Sequence, residues 1–158
     1  MADVTINQLA NIAPSLDSII PLSQGGSTYS TMLSQLSTLP FIPKAWVSFD
    51  GSRNTSGNVD GNNSNRLIRS SYNVSSVLRN GAGDYSINFA SNLADTNYSI
   101  FITTNRSSGN TNLVNCARVA DELTNPQVNL FRIVHGVPTS NRDLQKEDAS
   151  RIYCAVFR

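Results

Sequence analysis

Residues 70–90 read SSYNVSSVLRNGAGDYSINFA. Polar and apolar residues alternate as far as Arg79, and after Asp84 the residues Tyr85, Ile87 and Phe89 fall on one side of a period-two pattern. Alternation of that kind places one face of an extended chain against a core and the other toward water, so the stretch reads as two strands. Asn80-Gly81 between them supplies two residues that accept positive φ, the requirement of a tight hairpin turn. The expectation is therefore a β-hairpin turning at Asn80 and Gly81, where Gly81→Val is costly and the same change at Gly57, in a loose loop, is not.

Working outward, the same grammar recurs. Strands are expected near 45–49, 67–72, 75–79, 84–89, 98–104, 113–119, 128–134 and 151–157. The segments between them, DGSRNTSGNVDGNNSN, NRSSGNTN and HGVPTSNRDLQKEDAS, are dense in turn-forming residues. Eight short strands with no long helix between them predict a mainly β chain, an antiparallel β-sandwich or jelly-roll-like domain over residues 45–158. Its N-terminal side is different. Residues 1–40 hold no Arg or Lys and read as a short, mostly extended arm with one or two helical turns. Thr5 with Gln8 fits a capping box for one turn, and Pro14 ends it. SIIPLSQGGSTYST reads as two extended pieces about a Gly25-Gly26 turn, and a second helical turn is expected from Ser30, carrying Met32, Leu33, Leu36 and Leu39. PFIPK, residues 40–44, makes 41–44 a Pro-rich linker, since Pro40 and Pro43 remove donors and bias their predecessors to extended backbone.

Composition narrows the function. The 158 residues are enough for one domain with an appendage. Charged residues are 15% and the formal net charge is +1, so no global field draws the chain to nucleic acid or to an anionic membrane. Ser, Thr and Asn make up about a third of it, which favours turns and hydrogen-bonded surfaces. No apolar run approaches the roughly 20 residues that span a bilayer, and the N-terminus lacks the basic start and apolar centre of a signal peptide, so synthesis in a cytoplasm is expected. Cys116 and Cys154 stand outside any CxxC spacing; a disulfide stays open, and buried free thiols in strands are the preferred reading.

Catalytic patterns are thin. His135, the single histidine, begins a Gly/Pro loop without a G-x-S-x-G partner. GAGDYS lacks the third glycine and the following helix of a dinucleotide fingerprint. Asp50 and Asp60 lack the ligand spacing of a calcium loop. Trp46, followed by Phe49, is expected in the core rather than as a stacking platform. No catalytic residue, cofactor or metal is expected.

KAWVSFDG, then IRSSYNVSSVLRNGAGDYSINFASNLADTNYSI, and the closing RIYCAVFR together resemble a module of tailed-bacteriophage structural proteins that often ends tail fibres or related virion-surface polypeptides. INQLANIAPSLDSIIPLSQGGSTYSTMLSQL is similar to the segment by which such appendages attach to the particle. The resemblance implies a non-enzymatic, usually trimeric β-structure made in a host bacterium and carried on the virion surface. A fibre shaft of repeats or coiled coil is missing, and a short Pro-rich linker stands in its place, which favours a capsid decoration or cement protein. Its partners would be two further copies and the major capsid protein or another virion protein. The apolar residues Ile6, Leu9, Ile12, Leu16, Ile19, Ile20, Leu33 and Leu36 would dock on the particle. A short tail fibre that binds a host-surface receptor is the alternative; the loops, rich in Asn and Ser without Trp or Tyr at their centres, speak against it.

Overall fold

The computed structural model describes residues 19–24, 27–32, 41–105, 116–120, 126–139 and 144–158. The chain falls into two units, Met1–Ile42 and Pro43–Arg158, parted within the Pro-rich linker. In the first unit β1 (Ile19–Gln24) pairs antiparallel with β2 (Ser27–Met32), and Gln24 opposite Ser27 leaves the two glycines as the connection. Ser30–Met32 are therefore strand, where a helical turn was expected. Their partners Pro21, Ile20 and Ile19 hold them extended. The expected turn at Thr5 and the stripe from Leu33 onward lie outside the described residues.

The second unit is mainly β, two antiparallel sheets with no helix among the described residues. One sheet has the order β4 (Arg66–Tyr72), β3 (Ala45–Asn54), β11 (Arg151–Phe157), β7 (Ser99–Asn105). The other runs β10 (Leu144–Lys146), β9 (Leu130–Pro138), β6 (Asp84–Phe89), β5 (Val74–Gly81), with β8 (Cys116–Val119) also on β9. Alternate residues of both sheets form one core: Ala45, Val47, Phe49, Ile152, Cys154 and Val156 from the first, Val77, Tyr85, Ile87, Phe131 and Ile133 from the second. Each large apolar side chain so buried stabilises the fold by roughly 1.5–3 kcal/mol. Phe49 meets Tyr85 edge-on across the sheets, ring centroids 5.2 Å apart.

The hairpin of β5 and β6 exists, but it turns two residues later than expected. Gly81 pairs with Asp84, so Ala82 and Gly83 make the turn, and Gly83 has φ +62°. A register shift between Arg79 and Gly81 makes Asn80 a bulge residue. Its side-chain amide donates to Asp84 Oδ1 (3.2 Å) and Ser86 Oγ (2.9 Å), which fastens it into the strand pair. Gly81 has ordinary φ and open space where a Cβ would stand, whereas Gly57 has φ +82°. The expected contrast between those two glycines is thus reversed.

His135 also departs from expectation. It lies inside β9 and is fully buried, on the same side of the strand as Phe131 and Ile133. Part of the segment read as a loop after it is β10.

Candidate functional site

Four strands place an unusual surface on the outer side of the β4-β3-β11-β7 sheet. In β3 the inward residues are Ala45, Val47 and Phe49, so Trp46 and Ser48 point outward. Trp46 stands opposite Tyr72 on β4 and Ala155 on β11, and Ala155 stands opposite Phe101 on β7. This makes a row across the whole sheet: Tyr72, Trp46, Ala155, Phe101. The adjacent row is Ser70, Ser48, Tyr153, Thr103. Tyr72 is 55% exposed, Trp46 37%, Phe101 63% and Tyr153 43%. Small Ala155 between two large rings leaves a shallow groove of about 410 Å³ walled by Trp46 and Phe101 and closed at one end by Tyr153. Its walls stand about 10 Å apart, two strand spacings. Phe157 packs edge-on against Phe101, centroids 5.5 Å apart, and stiffens that wall. Neither row contains a charged residue.

Two clusters of charged residues lie elsewhere, each committed to its own ion pairs. Asp148 accepts from Arg79 Nε, from Tyr85 OH at 2.7 Å and from the Gly83 backbone N–H at 2.9 Å, tying the hairpin turn to the segment before β11. Burial alone would raise the Asp148 carboxyl; the hydrogen bonds from Arg79, Gly83 and Tyr85 outweigh it and hold the group below the usual carboxylate range. Burial, and then the Asp148 charge, push the Tyr85 phenol well above its ordinary value, so it stays a neutral donor. Asp84 repeats the pattern: burial opposes ionisation, but Arg132, Lys146 and Asn80 win and hold its carboxyl far down. These clusters fix strands. They present no nucleophile beside a base.

The loop after β3 is held from within. Fully buried Arg66 donates to the backbone carbonyls of Asp60 (2.7 Å), Ser64 (3.1 Å) and Asn62. Asp60 accepts from the Asn62 N–H and Ser64 Oγ, while Asp50 is occupied by Arg69 at 2.6 Å and by Ser52. The two aspartates considered for calcium are thus spent separately. No group of three or more His, Cys, Asp or Glu side chains that would hold a metal occurs among the described residues. Cys116 is a half-buried and Cys154 a buried free thiol, the latter pushed by burial to about 12. His135 donates from Nδ1 to Glu147 O at 2.7 Å, and its buried Nε2 has no partner among the described residues.

Of the residues expected to dock on a particle, Ile19 and Ile20 lie in β1, and Ile6, Leu9, Ile12, Leu16, Leu33 and Leu36 lie outside the described residues. Trp46, expected in the core with Phe49, is instead the centre of the outer aromatic row. The signal was present: residues three apart in a strand point to opposite faces. No family model matches the chain, and no curated protein or solved structure is significantly similar to it.

Proposed function

We propose that the chain is a non-enzymatic structural protein of a tailed-phage virion, a homotrimeric capsid decoration or cement protein that docks through residues 1–40. The two sheets of residues 43–158 are read as an antiparallel, jelly-roll-like sandwich. The reading starts from the sequence resemblance, and the observation that carries it is the division of the chain at its Pro-rich linker into a small N-terminal unit and a larger two-sheet unit. A bridging protein needs those two parts: a segment that binds shell subunits, and a rigid body that holds several such segments together. Each docked arm adds free energy that is lost before the shell subunits separate, and linkage among three copies brings the second and third arms in at high effective concentration.

The aromatic groove favours one other reading, a tail-fibre or receptor-binding protein, because rings flanked by hydroxyls suit a host-surface glycan. One preparation tests both. Particles lacking the protein should adsorb normally to the host and release their genome at lower temperature. Normal heat stability with lost adsorption would overturn the decoration reading in favour of the adhesin.

A further inference from the structure

The outer face of the β4-β3-β11-β7 sheet has the area, the apolar centre and the charge pattern of an interface between copies. Tyr72, Trp46, Phe101 and Tyr153 leave on average about half of each side chain in solvent, so at roughly 200 Å² per aromatic residue these four alone expose about 400 Å². Monomeric proteins rarely leave an apolar patch of more than a few hundred Å² uncovered. A standard interface takes about 800 Å² from each partner, with aromatic residues at its centre and a polar rim. Here the rings supply about half of that area, and Ser48, Ser70 and Thr103 border them.

Charge points to the identity of the occupant. Residues close to a symmetry axis converge on their own copies, so a charge at the centre of a face packed on that axis is repelled by its equivalents. Both central rows are uncharged, and the nearest charged side chains flank them: Lys44 beyond the Trp46 row at one end, and Asp50, Arg69 and Arg151 beyond the Ser48 row at the other. A foreign protein partner would be selected by complementary charge on the face, and the face offers none. A glycan could use the same rings and hydroxyls, and the response of Trp46 to added saccharide separates it from a second copy. We infer that this face is where a second copy of the chain binds, Trp46 and Phe101 lying at the centre of the homotrimer interface. The inference rests on the homotrimer reading above.

Trp46 is the only tryptophan of the chain, so its fluorescence reports this face without any substitution. Mass in solution and acrylamide quenching are measured on the full chain, and on Phe101→Lys and Thr103→Lys, both at exposed outward positions. The wild type should run as three copies with Trp46 shielded. Each variant should keep the wild-type circular dichroism, raise the concentration of half-dissociation at least about 30-fold, and expose Trp46 to quencher once dissociated. A wild-type trimer whose Trp46 is freely quenched, or two variants that remain trimers, would overturn the interface and leave the homotrimer standing. A wild-type dimer with shielded Trp46 would keep the interface and overturn the trimer. A wild-type single chain overturns both, and protection of Trp46 gained only on adding saccharide reassigns the face to a glycan. Should either variant fail to fold, the wild-type quenching alone decides.

Discussion

Three glycines test the position of the hairpin turn and separate two costs that usually occur together. At Gly81 an alanine Cβ meets nothing within 4 Å and the backbone is ordinary, so Gly81→Ala should lie within about 0.5 kcal/mol of wild type. Gly57 has equally open space but φ +82°, so Gly57→Ala carries the left-handed backbone cost alone, about 1–2 kcal/mol. Gly83 carries that cost and a second one. A Cβ there would lie 2.2 Å from His135 O and 2.6 Å from Glu147 O, and backbone oxygens, unlike side-chain ends, cannot rotate aside. Relief requires the turn to move, which breaks its N–H bond to Asp148 at 2.9 Å and the bond from His135 N to Gly83 O at 2.7 Å. A hydrogen bond to a charged group contributes about 1.5–3 kcal/mol and a neutral one about 0.5–1.5. Gly83→Ala should therefore lose about 3–6 kcal/mol. In urea titrations followed by circular dichroism, with slopes of about 1–3 kcal/mol per molar, that is a fall of at least 1 M in the midpoint. Equal losses at Gly81 and Gly83, or a larger one at Gly81, would refute this placement of the turn and restore the Asn80-Gly81 turn that the sequence suggests.

Acid should weaken the fold in a defined direction. Asp84 and Asp148 have carboxyls held below the usual range, so the native state binds fewer protons than the unfolded one near pH 4 and stability falls as pH drops below the ordinary Asp value of about 3.9. Urea midpoints should be level between about pH 5 and 7 and fall below about pH 4; a level profile down to about pH 2.5 would refute the assignment. Arg79→Met takes from half-buried Asp148 its ion pair, and from Gly61 O and Asn63 Oδ1 their donor, and should cost about 3–5 kcal/mol by the same titration, against about 1.5–3 for Tyr85→Phe, which removes one hydrogen bond to the same carboxylate. Native thiol labelling should leave Cys154 unmodified, its thiol being buried and pushed to about 12, and only denaturation should bring the count to two per chain. Rapid native modification of both cysteines would show that β11 opens.

Strands were legible where alternation is strict. The spans expected at 84–89 and 151–157 are the strands observed, because Tyr85, Ile87, Phe89 and Ile152, Cys154, Val156 each occupy every second position and all face the core. The hairpin was legible as a unit and misplaced in detail for one reason: a bulge at Asn80 absorbs a residue, and period-two counting breaks at a bulge. β10 was missed because its three residues, Leu144–Lys146, are too few to show a period, and they are held by Gly136–Pro138 across the ladder. Arg66 was invisible as a loop staple, since its partners are backbone carbonyls, which no side-chain pattern advertises.

The outer aromatic face was harder to see because apolar character by itself does not say which side of a strand is buried. In AWVSF, Ala45, Val47 and Phe49 are one parity and Trp46 the other; large size suggested core for Trp46, while parity with Phe49 forbade it. The same parity rule applied across partners assembles the face. Tyr72, Trp46, Ala155 and Phe101 come from four strands spread over the whole second unit, and only the antiparallel registers bring them to one row. In a chain with just 15% charged residues, a fully solvated sheet face has few charges to keep it single. Placing lysine at Phe101 supplies one at the centre of the row, where symmetry would set it against its own copies, while the core beneath, Ile100, Ile102 and Cys154, is left untouched. Loss of association with the fold intact follows if that face meets itself; if it meets water, the same lysine changes neither mass nor Trp46 quenching.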